Sequence, residues 1–437
     1  MSWEEPQLIE HVTRQRWYGA KSRQVAHAAI LDSVGLRTAE PRYSIALAEL
    51  RYDTGAHDVY QLLYPEEEIF GVARELVSAM RSGLTLQGDD GIVELRPVPG
   101  FAGLGRELID ARAVGTEQSN TSVIFDDDLI LKVFRRLEPG VNPELEILRF
   151  LTEHGFANIA ALGGWYQYSG GPLSATLGIL QEYVRSGLDG WELALDELSE
   201  EPERFLGRLH RLGEVTGEMH RVLASDANDP AFCPETPSVE ALGLLTATVD
   251  EEIARVFLDL NDDDEAVAPI AGRGEEVRDL LRQMTYAGAA GQFIRTHGDY
   301  HLGQTMWADG DWIILDFEGE PARSLTERRR KRSVLRDVAG MLRSFAYAAS
   351  AVSLLRDTEP PEHWEEHARS RFLDGYLDTV DPALLPSGQA SIDRLLAVFE
   401  LEKAVYELQY ELDNRPDWVG IPVRGIQRLL EETTTAA

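Results

Sequence analysis

The sequence predicts an α+β chain with a strand-rich amino-terminal part and a mostly helical remainder. Three observations predict it. Up to about residue 185, short runs rich in β-branched and aromatic residues alternate with turns containing Gly, Pro or Asp. From about residue 188 onward, apolar residues recur at helical spacing. Within that helical part, residues 297–318 read as a loop, a short strand, an Asp-Gly turn, a second short strand and a loop, which marks an inserted hairpin.

The 437 residues suffice for two or three lobes, and 43% apolar content with eight tryptophans can build a core. The 42 basic residues against 75 acidic ones give a net charge of −33. That excess argues against nucleic acid and anionic membrane surfaces as partners, because both need a basic footprint. One cysteine, Cys233, forbids an intrachain disulfide and fits a reducing cytoplasm. The start has no basic and apolar leader pattern, and no apolar run reaches the roughly 18 residues of a membrane span. The expected setting is cytoplasmic.

Residues 1–95 read as a small α+β unit: a helix from Gln7 to Arg16, strands at Ser44–Tyr52 and Val59–Tyr64, and a helix from Glu66 to Arg81. The run Arg16-Trp17-Tyr18-Gly19-Ala20-Lys21-Ser22-Arg23 is either an anchor on the neighbouring unit or a binding loop. Residues 96–112 are irregular and read as a linker. Two antiparallel strands follow, Val114–Phe125 and Leu129–Phe134. An acidic turn, Asp126–Asp128, joins them, and within the first segment the small polar residues Ser119, Asn120, Thr121 and Ser122 read as a loop tip whose hydroxyls and N–H groups suit phosphate. Lys132 sits inside the apolar run Ile130–Phe134, where a lysine needs a partner unless strand alternation turns it to solvent. Glu144 and Glu146 open the next helix, and Glu146 is the expected partner. Two more strands span Ile159–Tyr168 and Ala175–Tyr183. At their exit Gln181, Glu182, Tyr183 and Val184 are placed to offer backbone groups to a nucleotide base. Residues 186–437 form the helical part, in which His220 lies on the apolar stripe Leu209, Leu212, Val215, Met219, Leu223 and reads as a buried structural residue.

The run His297-Gly298-Asp299-Tyr300-His301-Leu302-Gly303-Gln304 holds two histidines, two glycines, an acid and an amide, which packing alone does not explain. Asp299 and Gln304 are five residues apart, and Asp316 ends the second hairpin strand in Asp316-Phe317-Glu318. Protein kinases space their catalytic carboxylate and their metal-binding amide in the same way, then supply a metal carboxylate from a D-F-G segment. Asp299 thus reads as the base that accepts a hydroxyl proton, and Gln304 with Asp316 as ligands for Mg2+ on ATP. The plain alternative is a surface hairpin with incidental acids. The basic run Arg328–Arg332 is either a solvated face or a phosphate contact. In the helix from 391 to 413, Leu401, Val405, Leu408 and Leu412 share one face and Lys403, Tyr406 and Tyr410 the opposite one. Rings and a cation away from the apolar stripe suit a sugar, or else pack beneath the next segment, Asn414–Pro422.

These residues resemble the actinobacterial maltokinases: His297–Gln304, Leu315–Arg323, Leu335–Ser344, Lys403–Glu407 through Pro422, Glu117–Ser122 and Arg16–Gly19, together spanning almost the whole chain. Tyr18, Ala20 and the high acidity are small departures. The resemblance implies a bilobal, protein-kinase-like and aminoglycoside-phosphotransferase-like fold with an N-terminal cap subdomain at 1–95, the rest of the N-lobe at 96–185 and a C-lobe at 186–437. It implies transfer of the ATP γ-phosphoryl to the anomeric hydroxyl of maltose, giving maltose 1-phosphate for α-glucan synthesis, and raises a trehalose synthase as partner. It implies that His297, Asp299, Lys403, Tyr406, Tyr410 and Arg428 line the maltose site. Kinases for other sugars or amino sugars such as glucosamine, and a catalytically silent nucleotide-binding protein, are the alternatives.

Overall fold

The computed structural model describes residues 3–37, 40–114, 119–171, 173–260, 264–285 and 290–436. The chain divides into two compact units, residues 1–186 with 323–325, and residues 187–322 with 326–437.

The first unit begins with α1 (Glu5–Thr13), whose Leu8 and Val12 are buried. It packs on a sheet of order β1-β2-β3-β9, built from β1 (Val25–Arg37), β2 (Tyr43–Tyr52), β3 (His57–Tyr64) and β9 (Arg136–Leu137). Trp17 and Tyr18 sink into the core between α1 and this sheet, against Tyr60, so the Trp-Tyr-Gly segment is an anchor there. After α2 (Ile69–Arg81), β4 (Thr85–Gln87) and β5 (Gly91–Pro97) open a second sheet. Its order, β4-β5-β10-β11-β8-β7-β6, includes β6 (Ala111–Ala113), β7 (Asn120–Phe125), β8 (Leu129–Phe134), β10 (Leu162–Gly170) and β11 (Ser174–Glu182). The stretch 96–112, expected as a linker, therefore ends in an edge strand, because β6 pairs with β7. The same sheet corrects the polar loop: Asn120, Thr121 and Ser122 are strand residues, paired with Phe134, Val133 and Lys132. Helix α3 (Pro143–Glu153) starts at an Asn142 cap that accepts the Glu144 N–H.

The second unit carries a small sheet, β12 (Leu188–Asp189), β13 (Thr305–Ala308) and β14 (Asp311–Ile314), among helices α4 (Gly190–Glu200), α5 (Pro202–Leu223), α6 (Val239–Asp259) and α7 (Gly274–Thr285). After α8 (Leu325–Arg328) come α9 (Leu335–Arg356), α10 (Trp364–Thr379), α11 (Gln389–Asn414) and α12 (Gly420–Ala436). Helix α9 is long and apolar enough to cross a membrane, yet most of its apolar stretch is buried inside the unit. The hairpin β13–β14 turns at Asp309-Gly310, both at positive φ, as a two-residue turn matched to strand twist requires. It is clamped to α5: Trp312 is fully buried and donates its indole N–H to the Arg208 carbonyl, while Arg211 holds Asp311 at 2.9 Å. Helices α5 and α10 approach closely at glycines. A Cβ on Gly213 would stand 2.0 Å from the Phe372 carbonyl oxygen, and one on Gly375 equally close to that of His210.

Helix α11 is held by its acids as well as by its apolar face. Leu401, Val405 and Leu408 join the core with α6, α7 and α12. Elsewhere Glu402 takes a forked pair from Arg336, Glu407 from Arg343, and Glu400 from Arg369, with Arg428 added at 2.6 Å. Burial pushes the Glu400 carboxyl up, but the guanidinium groups of Arg369, Arg428 and Arg343 outweigh it and hold it at about 2. The folded value is below the unfolded one, so this stabilisation is complete above about pH 4.5 and is lost as pH falls toward about 2. Urea unfolding at a series of pH values should show the parent losing about 3 kcal/mol more over that window than Glu400→Gln. At neutral pH the variant should be less stable by about 3 kcal/mol, because two partly buried cations lose their buried partner.

Candidate active site

In the second unit the loop 297–304 is built around a buried carboxylate that the sequence reading passed over. Asp337, near the start of α9, is 2% exposed. Its two oxygens accept the backbone N–H groups of His297 (2.8 Å) and Gly298 (2.9 Å), and one also bonds Nε2 of His220 (3.1 Å). His220 is buried as expected, with its Nδ1 on the Tyr376 hydroxyl. Burial alone would push Asp337 up; the His220 hydrogen bond, its charge and the Gly298 amide hold it below the usual carboxylate range. Gly340, one turn along α9, lets the loop settle there, since a Cβ would stand 2.5 Å from the Tyr300 carbonyl oxygen. Thr216 of α5 meets the Tyr300 hydroxyl at 2.9 Å. The signal in the sequence was an acid on the apolar face of α9 and a histidine on that of α5, two buried polar groups that had to find partners.

His297 is 1% exposed, with Nε2 on the Leu315 carbonyl at 2.8 Å and Nδ1 toward the Asp299 N–H at 3.4 Å. It is a brace inside the loop, which corrects its assignment to the sugar site. His301 accepts the Gly303 N–H at Nδ1, and burial pushes its pKa down.

Asp299, Lys403 and Glu320 come together. The Lys403 ammonium lies 3.3 Å from an Asp299 oxygen, 3.5 Å from one of Glu320 and 5.3 Å from the Tyr406 ring centre. Burial would lower the Lys403 pKa; Asp299, Glu320 and Glu407 raise it further, and the lysine remains charged. Gln304 and Asp316 also meet, with the Gln304 amide nitrogen 3.3 Å from an Asp316 oxygen. Asp316 has φ +59, a left-handed conformation that is costly for a residue with a side chain and is held here by the hairpin exit. Carboxylate and amide oxygens are the hard donors that Mg2+ takes, so this pair fits that ion. Tyr410 is 45% exposed and carries the Arg415 guanidinium over its ring. Arg428 pairs with Glu400 and, with Arg343, Ser350 and Gln427, lines a cavity of about 320 Å³.

In the first unit Lys132 bonds both oxygens of Glu144, at 2.8 and 2.9 Å. Glu144, not Glu146, is thus its ion-pair partner: as second residue of α3 it faces the β8 lysine, and its carboxylate is 1% exposed. Glu146 is buried one half-turn on. Glu182 and Tyr183 donate their N–H groups to the Ala161 and Asp128 carbonyls, so neither can also donate to a base. Ser119 lies just before β7, and residues 115–118 fall outside the described residues.

A strand lysine paired with a helix glutamate, and a loop–hairpin bearing a carboxylate and an amide, are each features of kinase-like phosphotransferases. Residues 110–320 match the phosphotransferase enzyme family and residues 11–85 the maltokinase N-terminal cap domain. The chain belongs to the aminoglycoside-phosphotransferase-like superfamily, as a maltokinase-like member. A glucosamine kinase of Streptacidiphilus jiangxiensis is 29% identical over 384 residues, 83% of this chain and 82% of its own. Another, from Mycolicibacterium smegmatis, is 25% identical over 343 residues, 74% and 80% of the two chains. The fold is shared with a solved glucosamine kinase at a TM-score of 0.76 and 21% identity, covering 97% of this chain and 99% of that one. A complex of glucosamine kinase with glucosamine, ADP and inorganic phosphate gives 0.74, at 21% identity and 96% and 98% coverage.

Replacing Asp337 by alanine should cut turnover about 100-fold or more, since the loop amides lose their anchor, and should destabilise by about 3–5 kcal/mol because two buried amides and the His220 Nε2 lose their carboxylate partner. Steady-state kinetics beside thermal unfolding checks both. Parent-like turnover in a folded Asp337→Ala protein contradicts the role.

Proposed function

We propose that this chain is an ATP- and magnesium-dependent maltokinase, phosphorylating the anomeric hydroxyl of maltose to give maltose 1-phosphate for α-glucan synthesis in the cytoplasm. The observation that carries the choice of acceptor is the Lys403 ammonium against the Asp299 carboxylate. A cationic amino sugar brought to Asp299 meets a like charge, whereas a neutral sugar meets a donor for its hydroxyls. The maltokinase-type cap at 11–85 supports the same reading.

In this reading Asp299 accepts the proton of the acceptor hydroxyl as its oxygen attacks the γ-phosphorus, and ADP leaves as the bond to the bridging oxygen breaks. Lys403, 3.3 Å away, orients Asp299. Tyr406 and Tyr410 offer ring faces to the sugar, and Arg428 contributes from α12. Lys132, braced by Glu144, serves the phosphates together with Ser119–Ser122; Val184, beside Gln181, Glu182 and Tyr183, supplies the backbone donor to the base. Gln304 and Asp316 would hold Mg2+, which supplies charge neutralisation on the phosphates when bound. A trehalose-to-maltose converting enzyme would supply the acceptor.

The second reading, a glucosamine kinase, is favoured by the names of the relatives at 29% and 25% identity. Phosphorus and proton NMR of the product from maltose or glucosamine with ATP separates the two. The proposal expects an anomeric phosphate on maltose and little turnover of glucosamine; the reverse preference overturns it. Asp299→Ala should lower turnover about 1,000-fold while the thermal midpoint holds. Tyr410→Ala should raise the KM for maltose with the KM for ATP unchanged, and parent-like kinetics would remove Tyr410 from the site.

A further inference from the structure

Arg135, at the end of β8, is the most deeply buried cation of the first unit's interior among the described residues, at 1% exposure. Nothing in the phosphoryl-transfer scheme uses it. Its three nitrogens point to different parts of the unit. Nε donates to the Thr121 hydroxyl of β7 at 2.8 Å. One terminal nitrogen meets Glu66 at 2.7 Å, and the other meets the carbonyl of Gln61 in β3 at 3.3 Å. The guanidinium plane also lies 5.1 Å from the Trp17 ring centre. Trp17, Gln61 and Glu66 all belong to the cap, whereas Thr121 lies in β7, within the polar segment Ser119–Ser122.

A second contact reinforces the link. Gln61 is fully buried and donates its amide nitrogen to the carbonyls of Phe134 and Leu177, while its amide oxygen accepts the Tyr166 hydroxyl. The cap sheet is therefore tied to β8, β10 and β11, and Arg135 carries the tie on to β7. Thr121 pairs with Val133, and its neighbour Ser122 pairs with Lys132. A shift of β7 along β8 would thus displace the polar segment relative to the lysine. A guanidinium suits this junction because it offers donors in three directions and stays charged when buried. Lysine has the charge without the fork.

We propose that Arg135 is a positioning residue through which the cap sets the geometry of the Ser119–Ser122 segment for nucleotide phosphate. This rests on the kinase reading above. The contact partners are Glu66 on the cap side and Thr121 on the strand side, and breaking either should weaken nucleotide binding without touching the acceptor site.

The test is the Kd for ATP with magnesium, by calorimetry on the full-length chain, for Thr121→Val, Glu66→Gln, Arg135→Met and the double variant Arg135→Met/Thr121→Val, with thermal midpoints alongside. The expected result is a Kd for ATP raised about tenfold by Thr121→Val and by Arg135→Met, and in the same direction by Glu66→Gln. The double variant should be no worse than Arg135→Met alone, because the two side chains act through one contact. Effects that multiply in the double variant mean that Thr121 acts independently of Arg135, and overturn the proposal. A Kd equal to the parent's in Thr121→Val and Glu66→Gln, whose folds are least disturbed, reduces Arg135 to a stabilising residue and overturns it as well. A parent chain that binds no ATP takes down the kinase reading and this inference together, whereas a parent that binds ATP while all variants match it takes down this inference alone.

Discussion

Much of the second unit is arranged about one buried carboxylate. Asp337 receives two consecutive backbone amides of the loop that carries Asp299, and shares an oxygen with His220. A loop held by its own backbone leaves its side chains free for chemistry, and a buried acceptor of two amides allows little sliding. The rest follows from that anchor. Gly340 gives the loop room, Thr216 fixes Tyr300, and His297 braces the loop against the exit of β14, where Asp316 turns. The site is a rigid product of α5, α9 and the hairpin.

Charge is used economically inside a very acidic chain. Buried glutamates on α11 are matched by arginines from α9, α10 and α12, so this helix, which presents Lys403, Tyr406 and Tyr410, is held at a defined rotation. Truncating one partner of such pairs leaves a charge uncompensated, so they specify orientation more than they add stability. Lys403 is the exception in purpose: its acidic neighbours include Asp299, the residue assigned the proton transfer.

The elements with strong local signals were legible. The hairpin about Asp309-Gly310, the strand pair 120–134 and the long helices with a regular apolar stripe stand close to where periodicity puts them. Strand β1 was not read, because Val25–Arg37 mixes alanine, aspartate and glycine and its pairing with β2 is broken by three register shifts. The choice of Glu146 over Glu144 failed for a geometric reason: sequence cannot say which of two acids in a first helical turn faces a strand. His297 looked like a ligand contact because it adjoins Asp299, and only burial reveals it as a brace. Asp299, Gln304, Asp316 and Lys403 stand out by spacing and family likeness, while Asp337, although it lies in one of the resembling blocks, shows its part only through its contacts with the loop amides.

The central claim is that Asp299 and the Gln304–Asp316 pair serve one phosphoryl transfer. A crystal structure with a non-hydrolysable ATP analogue, magnesium and maltose tests it most directly. The account predicts the metal on Gln304 and Asp316 and a maltose anomeric hydroxyl within hydrogen-bonding distance of Asp299. A nucleotide whose metal lies away from that pair, or a sugar seated away from Asp299, would contradict it.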